Sequence, residues 1–139
     1  MVGTSGSTTD DHNWWLKKSC NRFGCTYTFT HSWSFAGDQR QFQLYHIPGG
    51  YIGGTYTGDS LLADPNATTG DEFVYDWEND GDWDHLSIDV GFGTGSDGYY
   101  GAYVDYHSFN RYHIFWTGRT YNIHIQTTTI ESVRIFYTN

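Results

Sequence analysis

The chain has 139 residues, enough for one domain with a real core and too few for two. Its formal charge of −9, with only 7 Lys and Arg, argues against nucleic acid and against anionic membrane surfaces, both of which demand a basic face. Aromatics reach 19% and Gly counts 17, a composition suited to a β-rich fold whose Tyr and Trp coat half-buried sheet faces and cleft walls.

Residues 1–13 are polar and rich in Gly, Ser, Thr and Asp, and read as an exposed stretch ahead of one domain over 14–139. Met1-Val2-Gly3-Thr4-Ser5-Gly6 does not read as a signal peptide, and no run reaches the length of a membrane span. Cys20 and Cys25 lack the further ligands that zinc requires, so the pair reads as a short-loop disulfide of a secreted protein. Thr26–Thr30 alternates as a strand. Ser32–His46 is the one good helix candidate, with Phe35, Phe42 and Tyr45 approximating an apolar face and Pro48-Gly49-Gly50 ending it. A loop carrying Gly53, Gly54, Gly58 and Pro65 follows.

From Glu72 onward the pattern predicts strands over 72–77, 84–91, 101–107, 112–117, 121–126 and 129–137, separated by Gly-rich turns. In the last of these Val133, Ile135 and Tyr137 share one face. Connections this short leave no room for crossover helices. The fold class is therefore α+β: one main helix followed by a mostly antiparallel β-sheet.

The most informative stretch is Gly70-Asp71-Glu72-Phe73-Val74-Tyr75-Asp76-Trp77-Glu78-Asn79-Asp80-Gly81-Asp82-Trp83-Asp84-His85. It reads as a strand, a tight acidic loop, and a histidine entering the next strand. An imidazole at the mouth of a buried strand is held rigidly toward a cleft, which suits a general base. A second such strand ends at His107. In a cysteine amidase one imidazole takes the thiol proton and a second polar group fixes its tautomer, so His85 and His107 would sit side by side at one end of the sheet. The same pattern also fits two half-exposed strand histidines without chemistry. Within the loop, Asp76, Glu78, Asp80 and Asp82 place oxygens on alternate residues around Gly81, as calcium loops do. Position twelve of such a loop is Ser87 rather than Glu, and a solvated turn whose carboxylates accept backbone amides is the competing reading. No other cofactor is called for.

Four further pieces join that stretch: Asn13-Trp14-Trp15, Ser32-Trp33-Ser34-Phe35-Ala36, Asp105-Tyr106-His107 and Ser108-Phe109-Asn110-Arg111-Tyr112. In this order and spacing the chain resembles the putative amidase domains, a branch of the papain-like superfamily of cell-wall cysteine peptidases and amidases. The resemblance implies a papain-like core, with a base at His85 and an orienting group at His107. It also implies a peptide or peptidoglycan-type substrate met by Trp77, Trp83, Asn110 and Arg111, and a secreted or extracellular setting.

In that family the nucleophilic Cys opens a helix upstream of the Trp-Trp segment, and Met1-Val2-Gly3-Thr4 stands at the turn after it. Cys20 and Cys25 follow Trp14-Trp15, so neither matches the nucleophile, and the resemblance implies a site inactive as written. The sheet face that such a helix covers would then be exposed, which predicts self-association or the N-terminal stretch folding over it. A non-catalytic module binding a glycan or peptide in an aromatic-lined cleft is the alternative.

Overall fold

The computed structural model describes residues 16–29, 36–47, 49–106 and 111–135. Strands β1 (Leu16–Asn21) and β2 (Gly24–Phe29) form a two-stranded hairpin. Helix α1 (Ala36–Tyr45) follows, then β3 (Gly50–Tyr56) and a 3-10 helix over Gly58–Leu62. The rest is strand: β4 (Glu72–Asp76), β5 (His85–Thr94), β6 (Tyr100–Tyr106), β7 (Arg111–Phe115) and β8 (Thr129–Ile135). The order in the six-stranded sheet is β3-β8-β4-β5-β6-β7, with every neighbouring pair antiparallel. Strands β4 to β7 form the expected meander, and β8 returns across the sheet to an interior position.

One face of this sheet carries the core. Phe73, Tyr75, Val104, Ile114 and Ile130 project from the strands against Tyr56, Leu61 and Trp116. Phe73, Val74 and Tyr75 are all fully buried because β4 is an interior strand covered on both sides. The other face takes α1. Asp38 in its first turn suits the helix dipole, and the chain leaves the helix through Gly49 at φ 86, a left-handed conformation that glycine adopts freely.

The structure corrects the predicted apolar face of α1. Its buried residue is Gln43, while Tyr45 is exposed. Gln39 donates to Glu72 at 3.0 Å and Arg40 to Glu131 at 2.6 Å, so a polar layer joins helix to sheet. Residues 32–35 of the predicted helix and its end at Pro48 lie outside the described residues, as does Tyr137.

Two further corrections concern loops. The stretch read as a glycine loop contains β3, where Gly53 sits in the irregular register between Ile52 and Gly54. A Cβ on Gly53 would meet the Ser132 hydroxyl at 2.9 Å, so this glycine marks close approach to β8. The strand predicted over 121–126 is a chain of turns instead. The amides of Tyr121 and Asn122 donate to the Gly118 carbonyl, and those of Thr127 and Thr128 to the His124 carbonyl.

Cys20 and Cys25 face each other across the first hairpin and are bonded, with Cα atoms 4.0 Å apart. Strand β1, which the sequence reading missed, is the other half of that clasp. Every residue from Lys17 to Thr28 is exposed, so the disulfide takes the place of a core in this small element.

Candidate functional site

Tyr75 pairs directly with His85 across β4 and β5, which puts both rings on the core-bearing face. The acidic turn between them is built from its own carboxylates. Asp76, itself buried, accepts the amides of Asp80 at 3.1 Å and Gly81 at 2.9 Å. Asp80 accepts the Asp82 amide, and Asp84 accepts that of Trp77 at 2.8 Å. These bonds fix where β5 begins, and His85 is its first residue.

His85 is packed among rings. Trp77 stacks at 5.7 Å with an interplanar angle of 23°, Tyr75 lies at 5.4 Å, and Tyr106 meets it edge-on at 4.3 Å. Burial pushes the imidazole down to about 4, so it is neutral at physiological pH. A neutral imidazole is the form that can accept a proton, and the same burial makes this one a weaker base than a free imidazole.

Beside it lies an open cavity of about 360 Å³ lined by Trp77, Asp84, His85, Tyr106 and Arg111, and by Gly118 and residues 121–124 of the loop after β7. The Arg111 guanidinium stacks on Tyr121 at 3.8 Å and hydrogen-bonds the Tyr106 phenol. Burial pushes that phenol up, and the guanidinium pulls part of the shift back. At the rim, His124 Nε2 lies 3.5 Å from Glu78 Oε1. The arrangement can hold a ligand between aromatic walls, with a neutral imidazole and a guanidinium on either side of Tyr106.

Of the site residues read from sequence, His85, Trp77 and Arg111 meet in this cavity. Trp83 does not line it. Its ring carries the Arg40 guanidinium at 4.7 Å, under α1, where it helps seat the helix. His107 and Asn110 lie outside the described residues, although Tyr106 and Arg111, the described residues flanking that segment, both line the cavity. Asp76 and Asp80 hold backbone amides, Glu78 faces His124, and Asp82 is exposed. Among the described residues no three or more His, Cys, Asp or Glu side chains converge as a metal site.

Sequence reasoning missed Tyr106, Tyr121 and His124 as cavity residues. Tyr106 could have been found from its place beside His107. The other two belong to the segment misread as a strand.

These features define an α+β domain with a histidine-centred, aromatic-walled cleft on its sheet. The family model described as the putative amidase domain matches residues 2–130, and the chain belongs to that family. No curated protein and no solved structure matches it.

Proposed function

We propose that the His85 cavity is the base-bearing half of a papain-like cysteine amidase site, acting on peptide or peptidoglycan-type amides outside the cell. The observation that carries this reading is the placement of His85 at the first residue of β5, fixed among Trp77, Tyr75 and Tyr106 at the wall of the cavity. In this scheme His85 takes the thiol proton, His107 orients it, and Trp77, Arg111 and Asn110 hold substrate. Trp83 serves the helix instead. The disulfide supports a secreted setting, and the charge of −9 supports a partner that is neither nucleic acid nor membrane.

The sequence holds two cysteines, and both are in the disulfide, so these 139 residues carry no free thiol. The chain alone should therefore show no iodoacetamide-sensitive hydrolysis of peptide amides or peptidoglycan. Robust alkylation-sensitive turnover would defeat this and point to Cys20 or Cys25. In a form of the protein that supplies the thiol, His85→Gln should lower kcat by roughly 10²–10⁴. Unchanged turnover would remove His85 as the base.

The cavity's aromatic walls, Trp77, Tyr106 and Tyr121, favour a second reading, a module that binds glycan or peptide without cleaving it. Saturable glycan binding by the chain, lost in Trp77→Ala, would favour it. Exposed Ile88, Phe92, Tyr100 and Tyr112 on β5 to β7 support self-association as part of either reading.

A calcium ion in the acidic turn would compete with the backbone amides that Asp76 and Asp80 already accept. We expect the same melting temperature in chelator and in millimolar calcium. A rise with calcium would establish the ion site by mass action.

A further inference from the structure

A second cavity, of about 460 Å³, lies between the 3-10 helix and the loop that follows β7. Asp59, Leu61 and Leu62 line it from the helix, and Thr117, Arg119, Ile125 and Gln126 line it from the loop. It is separate from the His85 cavity, although successive residues of the same loop, such as Thr117 and Gly118, face one and then the other.

Two charges of opposite sign border this space without neutralising each other. Neither Asp59 nor Arg119 takes part in an ion pair among the described residues. The Arg119 guanidinium rests on the Tyr99 ring at 4.5 Å, a contact that leaves its N–H donors available. Thr117 adds an independent observation. It is 1% exposed, it lines the cavity, and its buried hydroxyl has no hydrogen-bond partner. Buried hydroxyls are ordinarily paired, and a turn of this side chain toward the cavity it lines would let a ligand pair this one.

The charges select the ligand class. A simple anion would face Asp59, a simple cation would face Arg119, and a neutral molecule would leave both of these exposed charges to water. We propose that this cavity binds a zwitterion of amino-acid or dipeptide size, with its carboxylate on Arg119 and its ammonium on Asp59. Thr117 and Gln126 supply hydrogen bonds to the amide between them, and Leu61, Leu62 and Ile125 receive an aliphatic side chain. The volume suits such a ligand. Amide hydrolysis releases free ends of this kind, but binding here needs no catalysis in the His85 cavity.

Calorimetric titration of the whole chain with L-alanyl-L-leucine tests the assignment, alongside the N-acetylated and C-amidated forms of the dipeptide. Saturable binding is expected, weakened at least tenfold by either blocking group. Asp59→Asn should weaken the free dipeptide to the same degree and make acetylation inconsequential. Arg119→Gln should do the same for amidation, and His85→Gln should bind as the unmodified chain does. The blocked dipeptides keep the test valid should a variant fail to fold, because they are read on the unmodified protein. No saturable binding at millimolar dipeptide would overturn the proposal and leave Asp59 and Arg119 as solvated surface charges. Binding that ignores both blocking groups, or that His85→Gln abolishes, would overturn it equally by placing the ligand elsewhere.

Discussion

Trp116→Ala should unfold the protein more readily by about 3–5 kcal/mol, the range for removing a fully buried large aromatic side chain. Trp116 is 0% exposed and joins the two halves of the core. Tyr56 meets it edge-on at 5.0 Å from the β3 side, and Phe73 lies at 5.3 Å from β4. Its carbonyl also accepts the Tyr75 hydroxyl at 2.6 Å, and that hydroxyl lies 2.7 Å from Ser87 Oγ. Loss of the indole therefore empties the centre of the face that positions His85.

Trp116→Phe should behave differently. The indole N–H is buried without a hydrogen-bond partner, a defect worth about 1–3 kcal/mol. Phenylalanine removes that donor while keeping most of the ring volume, so the two effects oppose and the net change should stay within about 1 kcal/mol. Urea denaturation followed by fluorescence and circular dichroism measures both, with an unchanged m-value showing that stability itself has moved. An alanine variant within about 1 kcal/mol of the parent would mean that the core is organised around other residues.

How much of this was legible in the sequence follows from where each partner sits. The β4–turn–β5 unit could be read because its determinants are local: Asp76, Asp80, Gly81 and Asp84 fold the turn onto amides a few residues away. The place of His85 at the start of β5 was legible for the same reason. The face of α1 was not, because Gln39 and Gln43 look like surface residues until Glu72, some thirty positions on, comes beneath them. In the loop after β7, the alternation of Tyr121, Ile123 and Ile125 imitates a strand. The side chains of Asn122 and Thr128 decide otherwise. Asn122 Oδ1 accepts the His124 amide and Thr128 Oγ1 donates to the His124 carbonyl, so local bonds outcompete the ladder. That misreading hid four of the ten residues that line the cavity. Trp83 was placed in the site by its position in a motif, and only its stacking with Arg40 from another element shows its structural task.

The largest pH effects should come from two partly buried groups that act in opposite directions. Burial pushes the Glu72 carboxyl up to about 7, with hydrogen bonds from Gln43 and Gln39 resisting the shift. Burial pushes His85 down to about 4. The folded state holds the Glu72 proton more tightly than the unfolded chain, whose carboxyl titrates near 4.5. Its stabilisation is complete below that value and is lost as pH rises through about 7. For His85 the unfolded chain is the better proton binder, titrating near 6.5. Its contribution is complete above 6.5 and is lost as pH falls through about 4.

Between these limits the two slopes, each about 1.4 kcal/mol per pH unit, oppose each other. The unmodified protein should therefore show a shallow profile from these groups, and single substitutions should uncover them. Glu72→Gln should gain on the parent as pH rises from 4 to 8, by up to about 3 kcal/mol. His85→Gln should gain on the parent as pH falls from 7 to 4, by a similar amount. Subtracting parent from variant at each pH cancels the other carboxylates, so chemical denaturation across this range reads the two groups separately. Difference curves that are flat, or that slope the same way, would show that Glu72 or His85 meets more water than its packing in the fold implies.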